Sequence, residues 1–247
     1  MSTISSFSEE KLQEIGAHFA LIAKPTSITR FGNGHINDTF LAQGKPSYIL
    51  QRLNTKIFTN PEGVMANIES VTKELAAKIA LDGGDPLRQT MTLIPAKDGS
   101  YFYRDDEGGF WRVYLFIDDS LSLDLPRNAQ DFKESAIAFG QFQHYLRDYP
   151  AKTLFTSIHH FHDTPKRYQD FLEAVKNDKV GRKSGVLAEI SFIEAREKTF
   201  GTVEDELRNG TIPLRVTHND TKLNNVLLDK ATGKALAVID LDTIIDR

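Results

Sequence analysis

Near the end of the chain, IPLRVTHNDTKLNN places Asp220 just beyond a short apolar run, with His218 before it and Asn225 five residues after it. An aspartate in a loop leaving a strand can accept a hydroxyl proton, and an asparagine can offer an amide oxygen to a hard cation. A second apolar run, ALAVIDLD, ends at Asp240, and Asp242 follows two residues on. In extended chain those two carboxylates face the same way. Oxygen ligands of this kind suit Mg²⁺. A base, an amide and a strand-end carboxylate, in this order, are what phosphoryl transfer needs, because its catalysis is mainly positioning and charge neutralisation. Each aspartate alone could simply cap a turn or end a strand. Their joint order and spacing favour the chemical reading.

Upstream residues extend the pattern. FGNGHINDTF lies between two β-prone runs and supplies Gly32 and Gly34 as candidates for a turn over a nucleotide's phosphates. A plain hairpin would also use two glycines. In YILQRL, Leu50 and Arg52 share a strand face, which makes Arg52 a candidate phosphate-binding cation, with Glu69 or Glu74 of the next helix to orient it. WRVYLFIDDS is the expected hinge, whose backbone would read a base. SIHHFHDTPKRY contains His159, His160, His162 and Asp163. It runs directly into a helix start and has no matching ligands elsewhere, so it reads as a cap rather than a metal site.

The elements that must position these residues follow from periodicity. Residues 7–22 predict an amphipathic helix capped by Ser8, with Leu12, Ile15, Phe19 and Ile22 as its stripe. Residues 60–80 predict a longer helix, opened by Pro61 and buried along Val64, Ile68, Val71, Leu75 and Ile79. Strands are expected around them up to residue 117. After that the chain turns helical. One helix carries Phe132, Ala136, Phe139, Phe142 and Leu146 along one face, and another is capped by Thr164 before Pro165. The end reads as a strand, a polar loop and a hairpin about Thr232 and Gly233. The expected fold class is α+β, with a β-rich N-terminal lobe over residues 1–117 and a mainly helical C-terminal lobe over residues 118–247.

Composition narrows the partners. The chain has 247 residues and a net charge of −4, so it carries no basic footprint for nucleic acid. It contains no cysteine, which removes disulfides and thiolate metal sites. No apolar run is long enough to span a bilayer, and the N-terminus lacks a signal-peptide pattern. A cytoplasmic protein is the expectation.

Asp220 and Asn225 have the spacing of the H-R-D-x-x-x-x-N loop of protein kinases, with Asn219 in place of the arginine. Together with GHIN, YILQ, WRVY, FHDTP and IDLDT, this loop resembles the aminoglycoside–choline kinase phosphotransferase family, and within it the branch that phosphorylates N-acetylhexosamines. The resemblance runs over nearly the whole chain. It implies a protein-kinase-like two-lobed fold and transfer of a phosphoryl group from ATP, with Mg²⁺, to a sugar hydroxyl. The implied acceptor is the anomeric hydroxyl of N-acetylglucosamine or N-acetylgalactosamine. On matching positions it implies that Asp220 is the catalytic base and that Asn225 and Asp240 are metal ligands. His35 and Asn37 would lie near phosphate or sugar. Sugar kinases of this family continue past the IDLDT segment with further helices, whereas this chain reads IIDR and stops. The resemblance therefore implies a shortened C-terminal lobe with uncovered apolar helix faces and weak sugar-kinase activity. Two alternatives stand beside a sugar kinase: a non-catalytic remnant, and a kinase for another hydroxylated small molecule such as an aminoglycoside, choline or homoserine.

Overall fold

A computed structural model describes residues 7–32, 34 and 36–247. The first helix, α1 (Glu9–Gly16), starts where Ser8 Oγ accepts from the Lys11 amide at 3.2 Å, with Glu9 and Glu10 in its first turn. It lasts only two turns. Leu12 and Ile15 are buried, but Phe19 lies beyond the helix in a β-bridge with Ala96, and Ile22 is exposed. The predicted four-residue stripe thus shortens to two helical positions.

Next come β1 (Ser27–Arg30), β2 (Asp38–Gln43) and β3 (Tyr48–Leu53), then α2 (Pro61–Leu81) and the short α3 (Pro86–Gln89). Asn60 caps α2 by accepting from the Gly63 amide at 2.9 Å, with Pro61 in the first turn, where its missing N–H costs nothing. All five predicted stripe residues of α2 are buried. Strands β4 (Leu93–Ile94), β5 (Tyr103–Arg104) and β6 (Phe110–Leu115) complete an antiparallel sheet in the order β1-β2-β3-β6-β4, with β5 also paired to β6.

Register decides which side chains meet. Gln51 stands opposite Arg112, and Arg52 opposite Trp111. Cross-strand partners share a face. One face carries Phe40, Tyr48, Leu50, Trp111 and Val113, packed with Leu12 and Ile15 of α1 and with Phe19. The other face carries Gln51 and Arg112. Every residue of β6 from Phe110 to Tyr114 is buried, Arg112 among them.

Beyond β7 (Ser120–Leu121), helix α4 (Ala129–Tyr145) is capped by Asn128, which accepts from the Gln130 and Asp131 amides. Its buried face is Asp131, Glu134, Ser135, Ala138 and Phe142, while Phe132 is exposed. Two polar anchors rotate the helix away from the all-apolar stripe: Asp131 pairs with Arg127, and Glu134 Oε2 accepts from the Ala235 amide. Helices α5 (Thr164–Asn177), α6 (Leu187–Glu194) and α7 (Thr202–Arg208) follow. Asp163, not Thr164, caps α5, accepting from the Lys166 amide at 2.9 Å; Thr164 is already the first helical residue. The remaining strands are β8 (Val216–Thr217), β9 (Val226–Asp229), β10 (Ala235–Val238) and β11 (Ile245–Asp246). β9 and β10 form the predicted hairpin, extended by β7, and β11 pairs with β8.

The architecture is α+β. The chain forms two compact units. One joins residues 1–157 to 216–246, and the other holds residues 158–215 with Arg247. The larger unit reaches past residue 117 because α4 packs on α2 and β10, and a 3₁₀ turn at Leu241–Thr243 packs on α2.

Candidate active site

The loop after β8 is shaped by two residues with positive φ. Asn219 (φ 64°) precedes Asp220, and Asp240 (φ 62°) ends the run that follows β10. Asn and Asp tolerate this left-handed conformation better than most side chains. Asn219 Nδ2 donates to the carbonyls of Thr217 (3.0 Å) and Thr243 (2.9 Å), and Thr243 Oγ1 donates to the His218 carbonyl at 2.7 Å. The segments carrying Asp220 and Asp240 are thereby stitched together.

His218 is buried edge-on against Phe139 and Phe142. Its Nδ1 accepts from the Asp220 amide at 3.2 Å, so Nε2 carries the proton and donates to the Ile239 carbonyl at 2.9 Å. Burial lowers its pKa, in keeping with a neutral ring. Its part is to tie the loop to the end of β10.

Asp220 is held on one side. Asn225 Nδ2 donates to its backbone carbonyl (2.8 Å) and to Oδ2 (3.0 Å), and Lys222 Nζ lies 2.8 Å from the same Oδ2. Oδ1 accepts from no described residue. Asn225 is buried, and with Nδ2 committed to Asp220 its Oδ1 remains the acceptor end.

Asp240 makes no hydrogen bond to a described residue. Its pKa is raised to about 6, by burial first and then by the neighbouring Asp242 carboxylate, with Asp220 adding to it. A half-buried carboxylate beside other carboxylates and short of donors is a fitting ligand for a hard cation. Among the described residues no three His, Cys, Asp or Glu side chains converge as a full metal cage. Mg²⁺ fits such a site because it takes one or two carboxylates and completes its shell with phosphate oxygens and water.

Asp242 does not face the same way as Asp240. The left-handed residue at Asp240 and the 3₁₀ turn break the extended chain, and Asp242 turns inward to Arg112. The two ion-pair distances are 2.5 Å (Nη1–Oδ1) and 2.8 Å (Nη2–Oδ2), and Asn37 Nδ2 donates to Oδ2 at 2.8 Å. The structure therefore gathers Asp220, Asn225 and Asp240, and joins Asn37 to them through Asp242. Gly32 lies in the turn before β2 with φ 74°, and a Cβ at Gly34 would meet nothing within 4 Å. His35 lies outside the described residues.

Arg52 is not brought to this cluster. Its guanidinium sits over the Phe7 ring, 5.3 Å from the centroid, on the α1 face of the sheet. Glu69 and Glu74 pair along the surface of α2 with Lys73 and Lys78. The cation on the cluster's face is Arg112, and its neighbour from β3 is Gln51. Lys222 and Arg112 were both missed in the sequence. Lys222 was discoverable, being two residues after Asp220; Arg112 looked like part of a hinge strand.

The sequence profile of the phosphotransferase enzyme family (APH) matches residues 27–244. The chain belongs to this family. Solved structures similar to it share the fold at low identity. An aminoglycoside phosphotransferase from Alicyclobacillus acidocaldarius is 13% identical with a TM-score of 0.62, the match covering 99% of this chain and 68% of the other. A microcompartment-associated aminopropanol kinase is 18% identical with a TM-score of 0.61, over 95% and 69%. A spectinomycin phosphotransferase, solved with ADP and spectinomycin, is 13% identical with a TM-score of 0.54, over 97% and 70%. No helix among the described residues is long and apolar enough to cross a membrane.

Proposed function

We propose that this chain transfers the γ-phosphoryl group of ATP to a hydroxyl of a small molecule, and that the acceptor is the anomeric hydroxyl of an N-acetylhexosamine. The observation that carries the transfer is the carboxylate of Asp220, fixed through Oδ2 by Asn225 and Lys222 and open at Oδ1. In this reading Oδ1 takes the acceptor's hydroxyl proton. The acceptor oxygen bonds to the γ-phosphorus as the bond to the bridging oxygen breaks, and ADP leaves. Lys222, next to the base, balances negative charge where the phosphoryl group would pass. Asn225 Oδ1 and the Asp240 carboxylate would hold Mg²⁺, which when bound neutralises charge on the phosphates. The turn at residues 32–37 would lie over the phosphates, and the segment after β6 would read the base through its backbone.

The hexosamine acceptor is supported by the likeness of HNDTKLNN and IDLDT to that branch of the family. The test is ADP release from ATP and Mg²⁺ with N-acetylglucosamine, N-acetylgalactosamine, an aminoglycoside, choline, homoserine and 1-amino-2-propanol as acceptors. Turnover with the two hexosamines above the others is expected. Preference for another acceptor would move the substrate and leave the chemistry standing. Asp220→Asn should lower turnover by ~10²–10⁴-fold with nucleotide affinity retained. Turnover like the unsubstituted protein's would remove Asp220 from the base role.

A further inference from the structure

In protein kinases a lysine of β3 is oriented by a glutamate of the neighbouring helix, and that ion pair must be in place for transfer. Here the three glutamates of α2 pair elsewhere: Glu62 with Arg104 of β5, Glu69 with Lys73 and Glu74 with Lys78. None meets β3 or β6. We infer that Arg112 of β6 takes over the organising task as a positioning residue, clamping Asp242 so that Asp240 alone is presented to the metal. This inference rests on the metal–nucleotide reading above.

A guanidinium has five N–H donors, and at Arg112 each of the three nitrogens is engaged within the protein. Nε donates to Gln51 Oε1 at 2.9 Å. Nη2 donates to Gln51 Oε1 at 2.6 Å and to Asp242 Oδ2 at 2.8 Å. Nη1 faces Asp242 Oδ1 at 2.5 Å and Met65 Sδ at 3.8 Å. Buried and engaged at all three nitrogens, Arg112 turns its charge inward rather than toward a phosphate. Gln51 is itself fixed, because its Nε2 donates to Thr39 Oγ1 at 2.8 Å.

Asp242 is held through Oδ2, which accepts from Arg112 Nη2 and from Asn37 Nδ2, while Oδ1 stays in ion contact with Nη1; Asn37 Oδ1 in turn accepts from the Asn54 amide at 2.9 Å. The clamp therefore runs from β2 and β3 through β6 into the 240–243 turn. Burial opposes the charge on Arg112, yet Asp242, Tyr114 and Asp240 together outweigh it and the pKa is raised. With Asp242 neutralised and turned inward, one carboxylate of this segment, that of Asp240, is left without a protein donor. A partner that orients a metal ligand from behind commonly sets metal affinity.

The experiment is calorimetric titration of ADP into the full chain with and without Mg²⁺, run beside thermal melts. The variants are Arg112→Lys and the charge-free pair Arg112→Met with Asp242→Asn. Removing both charges avoids leaving one buried alone. In the unsubstituted protein, Mg²⁺ is expected to tighten ADP binding. The double variant should melt cooperatively, bind metal-free ADP nearly as before, and lose about 10–100-fold of metal-dependent affinity. Arg112→Lys keeps the charge without the planar fork and should recover part of that loss. A folded double variant with the full Mg²⁺ enhancement overturns the inference and spares the proposed function. If the double variant does not fold, Arg112→Lys decides, and full enhancement there overturns the inference. Absence of any Mg²⁺ enhancement in the unsubstituted protein strikes the proposed function itself, and this inference with it.

Discussion

At the scale of single residues, Asn225 and Asp240 differ in what they would bring to a cation, a neutral oxygen in one case and a full charge in the other. Replacing either with alanine should weaken Mg²⁺-dependent nucleotide binding, Asp240→Ala more than Asn225→Ala, as calorimetry with and without the metal would read. Asp240→Asn, which keeps a side chain suited to the left-handed backbone, should raise the melting temperature at neutral pH in metal-free buffer, because it removes a charge crowded by its neighbours. His218 sets a pH dependence of its own. Burial lowers its folded pKa below 6.5, so the unfolded chain binds the proton more readily. The stability it contributes is present above 6.5 and is lost as pH falls through the lower folded value. Across that window the urea midpoint should gain less, or lose more, with rising pH in His218→Gln than in the unsubstituted protein, the opposite drift from Asp240 being common to both. The sequence was most legible at this scale. Asp220, Asn225 and Asp240 stand at short, fixed spacings in two segments that a single pair of backbone turns brings together.

At the scale of elements, the helices were legible and their faces were less so. The stripe of α2 follows the apolar period, whereas that of α4 is turned by the anchors Asp131 and Glu134, whose partners no periodicity reveals. The same holds for β3. A strand flips its side chains to opposite faces at every residue, so Arg52 lies on the α1 face while Gln51 meets Arg112 on the other. The deciding facts, the register with β6 and the Phe7 ring over Arg52, are long-range. Contact at the start of α2 makes a further expectation. A Cβ at Gly63 would sit 2.6 Å from the Phe155 ring. Gly→Ala in a helix is ordinarily worth ~1 kcal/mol in favour of alanine. Here the overlap should reverse the sign, and Gly63→Ala should destabilise by about 1–3 kcal/mol, as equilibrium unfolding in urea would measure. Phe155 is also bound to α2 at both backbone atoms by Asn67, through 2.8 and 2.7 Å hydrogen bonds, so it has little room to retreat.

At the scale of the whole molecule, the larger unit is built from both ends of the chain, and its most buried ion pair joins them. Breaking that pair from one side should cost more than any surface change. Asp242→Ala leaves the Arg112 guanidinium buried without its counter-charge, and about 3–5 kcal/mol of unfolding free energy should go with it. Asn67 adds a second tie, donating to the Ile244 carbonyl at 3.1 Å. The span of the pair also sets an order of events during synthesis. Asp242 leaves the ribosome 130 residues after Arg112. At ~5–20 residues per second that is a wait of roughly 7 to 25 seconds. Throughout it, strand β6, inside the sheet, carries a cation whose partner does not yet exist, so the sheet cannot reach its final free energy while it is being made. The nascent chain should stay open to proteases and chaperones at β6 until the segment carrying Asp242 is released, however early the hairpin of β2 and β3 forms.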